Sequence, residues 1–397
     1  MSDDALRFRV IDAIGSIPEA DWDALLDDAC TPFQKHRWLH AMEREGCAVE
    51  ATGWHPRHLT LWRGPTLVAA APAYLREDSQ GEFVFDHGWA NAAHRAGIRY
   101  YPKLVLAVPF TPATGRRVLV APGEDRAALS RALFDGALAL ARAERLSSVH
   151  VLFPTVAEAR VAESAGAMTR LGVQYQWDNP GYADYDAFLA RFDSKRRHQL
   201  RREARAAAEQ GITLRTRRGA ELSEADAPMA YRLYLSTVDK FMWGRRYLNE
   251  AFFRRVLREF SAHVELVEAR RGEEVVAGAI NVASPTHLYG RYWGCFEEHP
   301  FLHFNVCYYH SIGECIARGV RRFEGGAGGE HKVSRGFEPV VTRSSHWVLH
   351  PGLDRAVREF VGRESAAVDA ALPSMRAATG MRPLTVAGKR QQTEGED

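Results

Sequence analysis

Residues 323–337 read FEGGAGGEHKVSRGF, a run that sets Glu324, Glu330, His331, Lys332 and Arg335 among closely spaced glycines. Gly325, Gly326, Gly328 and Gly329 let the backbone take positive φ and approach a ligand closely. The cations that follow can meet an anionic group, or the negative charge that builds on a carbonyl oxygen during acyl transfer. Glycine and charge at this density make a poor core, so a functional loop is expected here.

A second cluster lies upstream. Within 191–218 ten basic residues face only Asp193, Glu203 and Glu209. Arg197, Arg201 and Arg205 recur every fourth residue, which stacks them on one face of a helix together with Lys195 and Arg202. Such a face suits phosphates, although a solvated helix surface has the same composition. The string from Arg322 through Gly325 to Ala327 also fits the Arg-x-x-Gly-x-Gly/Ala turn with which acetyltransferases of the GNAT type cradle the pyrophosphate of CoA. The pattern is loose, and it falls one strand later than that turn belongs, which would be near 294–304.

Other constellations are weaker. His299 and His303 are four apart but flank Pro300 and lack a third ligand at useful spacing, so no metal is expected. Ser334 beside His331 is sequence adjacency, not a triad. Among the aromatics near the loop, Tyr292 and Tyr308 could each turn a hydroxyl towards a substrate.

The elements that must position these groups read as mixed α/β in both halves. Strands are expected at 59–63, 67–75, 82–86 and 147–153, with a helix at 126–145. The stretch 87–117 mixes aromatics, glycine and proline without a period, as binding loops do. Downstream come a long helix at 184–210, helices at 224–240, 249–260 and 305–318, and three consecutive strands between 263 and 293. A terminal helix at 354–378 is expected to break at Pro373. The expected division is 1–175, 176–385 and a polar, disordered tail at 386–397, two units of similar build without a visible sequence repeat.

The whole chain bounds these readings. Its 397 residues suffice for two cores, and a formal net charge of +2 leaves any case for nucleic acid to the local cluster. Five cysteines without a CxxC pair suggest reduced thiols, and the chain shows neither an apolar signal core nor a membrane-length apolar run. A cytoplasmic enzyme is the plain expectation.

Three strings together resemble the FemAB-like family of the GNAT superfamily: 82–117 with its YYPKL and PFTP, SKRRHQLRRE at 194–203, and 301–337 with its GEHK and RGF. The resemblance covers roughly 30–350. It implies two tandem GNAT-like (acyl-CoA N-acyltransferase) domains, α/β with mixed sheets flanked by helices. It also implies kinship with Fem transferases, which move an amino acid from an aminoacyl-tRNA ester to an amine of a peptidoglycan precursor without CoA or metal. The family motif pairs Phe-Lys with a nearby Gly-Phe. Here that is Lys332 with Gly336 and Phe337, His331 standing in for the aromatic residue.

The resemblance thus makes Lys332, with Arg335, the expected stabiliser of the oxyanion or leaving oxygen, with Glu330, His331 and Tyr292 as candidate bases. Asp86, Trp89, Tyr101 and Lys103 would shape an acceptor pocket between the domains, with His303, Tyr308 and Glu324 as further substrate contacts. Lys195, Arg197, Arg201, Arg202 and Arg205 would hold tRNA phosphates. The family pattern often has acidic residues where this chain has Asn305 and Gly313, which points to a peptide or specialised metabolite as acceptor. An acyl-CoA-dependent enzyme of the same fold, or a module that only binds a nucleotide or peptidoglycan ligand, remain the alternatives.

Overall fold

The structure is a computed structural model that describes residues 5–240 and 245–382. The expected tail at 386–397 lies outside the described residues. Contacts divide the chain into one unit of Met1–Gly172 with Val341–Ala370 and a second of Val173–Val340 with Ala371–Asp397. The expected cut near 175 falls within the strand Met168–Asp178, and the structure returns 341–370 to the first unit.

The first unit holds two groups of strands. Leu6–Ile11, His58–Arg63, Thr66–Ala71 and Leu119–Val120 form an antiparallel sheet in that order. The helix Arg126–Ala143 starts where Asp125 accepts a hydrogen bond from the Ala128 amide at 3.0 Å, and it buries Leu133, Phe134 and Ala137 with Leu59, Leu61 and Val68. Ser148–Leu152 runs parallel to Lys103–Leu106 and antiparallel to 344–348. Lys103–Leu106 in turn pairs with Ala73–Arg76, and that strand with Trp54–Pro56.

The second unit is built on a meander of Thr213–Arg218, Val264–Arg271, Glu274–Ala283 and His287–Cys295. Arg322–Glu324 lies parallel beside 287–289 and antiparallel to 176–178. Helix Ala227–Val238 packs so closely on one face that a Cβ at Gly294 would overlap the Leu233 backbone, so only glycine fits there. On the other face Ala207, Leu302 and Val306 close over Val267, Val276 and Ala279.

Several elements depart from expectation for local reasons. The helix expected over 184–210 is two, Tyr185–Leu189 and Ser194–Glu209, because Asp193 turns out of helical geometry and caps the second through the Arg196 amide at 2.8 Å. The aperiodic 87–117 stretch contains the helix His87–Arg95, whose Trp89 and Ala93 are buried, and the strand Lys103–Leu106. The last helix, Pro351–Ala377, continues through Pro373. The helix expected from 305 opens as a π-turn, Asn305–Tyr309, before His310–Arg318.

Candidate functional site

The glycine-rich segment follows the short strand Arg322–Glu324 and ends in a 3-10 turn, Glu330–Arg335. Lys332 is the centre of it. Its side chain folds back under the glycines, and Nζ donates to the carbonyls of Gly326 at 2.7 Å and Gly328 at 2.6 Å. A Cβ on Gly325 or Gly329 would press on Lys332 Cε at 3.2 Å, so the glycines make room for the lysine. Lys332 is buried, and burial pushes its ammonium pKa down to about 8. An ammonium has three N–H donors, and two of them are taken by these carbonyls.

The π-turn presents two consecutive tyrosines to this loop, as such turns do at functional sites. Tyr308 OH meets His331 Nε2 at 3.0 Å, and its ring packs on Phe337 at 5.3 Å between centroids. Tyr309 OH accepts from Arg335 Nε at 2.9 Å and donates to the Glu203 carboxylate. Arg335 turns inward: Nη2 donates to Glu203 Oε2 at 2.7 Å and Nη1 to the His331 carbonyl at 2.8 Å, while the guanidinium lies over the Phe304 ring. His303 packs against Trp293 at a tilt and edge-on against His331, with centroids 5.0 and 5.5 Å away. Burial, then the nearby His331, Arg335 and Lys332, pushes His303 down to about 4, and His331 is lowered for the same kinds of reason. Both are neutral imidazoles at pH 7.

The expected residues therefore separate. Lys332, His331, Tyr308, His303 and Arg335 come together, while Glu324 is buried in its strand opposite Gln176. The Glu330 side chain lies outside the described residues. Tyr292 belongs to the other sheet face, where its ring meets Tyr234 at 5.2 Å and Phe253 at 6.0 Å; strand alternation sends Trp293, not Tyr292, towards His303. The candidate base role for Tyr292 beside Lys332 is corrected on that ground.

On helix Ser194–Glu209, Leu200, Glu203 and Ala207 are buried and the cations point outward. Arg201 is paired with Asp186 at 2.7 Å. Lys195, Arg202 and Arg205 are exposed and, like Arg197, have no acidic partner within 4.0 Å among the described residues. Glu203 belongs to no motif that the sequence displays. A single acid on the apolar side of an arginine-rich helix was its only local signal.

In the first unit, Lys103 is 0% exposed and its three donors go to Ser79 Oγ at 2.9 Å, Glu82 Oε2 at 2.9 Å and Asp86 Oδ2 at 2.5 Å. Tyr100 and Ser79 also donate to Asp86, and Tyr101 meets Ser79 at 2.8 Å. Burial alone would raise both carboxyls. For Asp86 the Lys103 charge, His150 and these hydrogen bonds outweigh it, so its pKa is lowered, whereas Glu82 is pushed up to about 7. Trp89 is buried against His346 and under Arg170. Asp86 and Lys103 satisfy each other inside the unit, so this cluster braces the fold, a correction to their expected place in an acceptor pocket.

An α/β unit with an antiparallel meander and covering helices, present in tandem, is the GNAT-like architecture. The chain belongs to the FemAB-like family of peptidoglycan biosynthesis/recognition, whose sequence model matches residues 13–383. Its backbone is similar to that of FemX, with a TM-score of 0.53 at 11% identity over 86% of this chain and 98% of that one. It is also similar to the C-terminal domain of a proposed lysylphosphatidylglycerol synthetase from Agrobacterium fabrum, with a TM-score of 0.50 at 10% identity over 88% and 96%. A tandem GNAT protein from the clavulanic acid biosynthesis pathway gives a TM-score of 0.46 at 13% identity over 87% and 99%. No protein of curated function matches the sequence. Among the described residues no helix is long and apolar enough to cross a membrane, and no group of three or more His, Cys, Asp and Glu could hold a metal.

Proposed function

We propose that this chain is an N-acyltransferase that forms an amide from an aminoacyl-tRNA ester and an acceptor amine. The amine of a peptidoglycan precursor, peptide or specialised metabolite attacks the ester carbonyl. The tetrahedral intermediate then collapses, breaking the bond to the ribose oxygen. The attacking nitrogen gives up a proton and the ribose hydroxyl gains one. The observation that carries this reading is the buried ammonium of Lys332, fixed by two glycine carbonyls, in a chain of this family. Its third N–H suits the oxyanion or the departing ribose oxygen.

The CoA alternative has less support. A pyrophosphate cradle needs backbone N–H groups at the start of a helix. Here the glycine loop turns carbonyls towards Lys332 and leads only into a six-residue 3-10 turn. At the place where that cradle belongs, before Leu302–Phe304, stand Glu297 and Glu298, which repel phosphate. Transfer from aminoacyl-tRNA should disappear when the donor is first treated with ribonuclease. Undiminished transfer after that treatment, or from acyl-CoA alone, would sink the proposal.

The exposed cations of Ser194–Glu209 carry the tRNA side. Changing Lys195, Arg202 and Arg205 together to Gln is expected to weaken binding of deacylated tRNA about tenfold or more and to reduce the salt slope of log affinity by about two to three. Arg201→Gln should do less, because Asp186 already neutralises it. Fluorescence anisotropy at several salt concentrations checks both; an unchanged slope in the triple variant would remove the helix from the tRNA site.

A further inference from the structure

Glu203 and Arg335 are 2% and 7% exposed, and removing such a pair from water is costly. The pair is also far more elaborate than ballast. Glu203 Oε1 accepts from Gln199 Nε2 at 2.8 Å, and Oε2 accepts from both Arg335 and Tyr309. Burial would raise the Glu203 carboxyl, but the bonds from Tyr309 and Gln199 and the Arg335 charge outweigh it and keep it ionised. The guanidinium then reaches in three directions: to Glu203 on the basic helix, to Tyr309 on the π-turn, and through Nη1 to the carbonyl of His331. That carbonyl belongs to the peptide bond that begins Lys332. On the far side the Phe337 amide holds the Lys332 carbonyl at 3.3 Å. The backbone of Lys332 is thus gripped at both ends, and one grip is anchored on Glu203.

We infer that Glu203 is a positioning residue: through Arg335 it fixes the backbone that carries Lys332 and keeps the lysine folded beneath the glycine loop. The inference rests on the reading of Lys332 as the working cation, yet it can be tested without any substrate. Glu203 touches no group of Lys332 itself. The charged and titratable groups around the ammonium are Cys307 on the π-turn, His331, His303 and Arg335, and burial is the largest influence on its proton affinity. Loss of the bracket therefore acts by letting water reach the ammonium, which moves the pKa of Lys332 up towards that of an ordinary lysine.

The experiment is trace labelling of the full-length protein with acetic anhydride across the neutral to alkaline range, read by peptide mass spectrometry. In the parent protein Lys332 should titrate near 8. In Glu203→Gln the midpoint is expected to rise by about one unit or more, with the other lysine peptides of the same digest as the internal reference. Arg335→Lys should shift Lys332 the same way, and the double variant no further than the larger single change, since both remove one bracket. If Glu203→Gln does not fold, Tyr309→Phe removes one hydroxyl from the bracket and should give a smaller upward shift. An unmoved Lys332 midpoint in whichever of these variants folds, or additive shifts in the double variant, overturns the inference. Because no aminoacyl-tRNA enters the assay, a Glu203-dependent midpoint in a protein that transfers nothing would sink the transferase proposal and leave the bracket standing.

Discussion

Lys332→Met lowers turnover of aminoacyl-tRNA by about 10²–10³-fold, the effect of deleting one preorganised donor at a developing oxyanion. Methionine keeps the length and apolar stem of the lysine, so the space under the glycines stays filled and the loss is one of charge and hydrogen bonds. Those bonds are specific: two N–H groups tie down Gly326 and Gly328, and the third faces the reactants under the proposal. The pH profile carries the sign. A pKa near 8 leaves the ammonium charged at pH 7, so stabilisation of negative charge is present below 8 and fades as pH rises through it. Lys332→Arg keeps a cation throughout this range and should lose that falling limb, even if its bulkier head turns over more slowly. Single-turnover rates measured across pH would show both effects. A methionine variant with parental rates, or an arginine variant with the same falling limb, would rule out the ammonium as the working group.

Lys103→Met destabilises the first unit by about 3–5 kcal/mol, because one partner leaves a buried ion cluster and the others remain. Glu82 and Asp86 are 3% and 2% exposed, and both lose the ammonium that now holds them at 2.9 and 2.5 Å. Arg76, at 3.3 Å from Glu82, offsets only part of the loss. The cost depends on pH. Burial pushes Glu82 up to about 7 even with Lys103 lowering it, and losing that ammonium raises it further, so above about 7 the parent has released a proton that the variant still holds, and the penalty grows with pH. The difference between parent and variant should therefore be smaller at pH 5.5 than at pH 8. Urea denaturation at the two pH values measures it, and a penalty under about 1 kcal/mol at pH 8 would show that the cluster is not the brace described here.

Much of the second unit was legible in its sequence. Gly325, Gly326, Gly328 and Gly329 beside Lys332 announced a loop with a cation, and the four-residue spacing of Arg197, Arg201 and Arg205 announced a charged helix face, because both signals are local. The strings around 301–337 carried the family resemblance, which the match over 13–383 establishes. The short helix His87–Arg95 and the π-turn were not legible, since neither keeps a period long enough to read.

What the sequence determined by itself was which chemical groups exist and which of them sit on one local face or one flexible loop. Only the tertiary structure decided their partners. Arg335, expected to face the reactants, is drawn inward by an acid 132 residues away, and Lys103, expected in a pocket, is enclosed by Glu82 and Asp86. Tyr292 was carried to the wrong face of its strand by one residue of register. The reason is common to all three: helical and strand periods constrain neighbours along the chain, whereas a buried charge takes whichever counter-charge the folded backbone brings within hydrogen-bond distance.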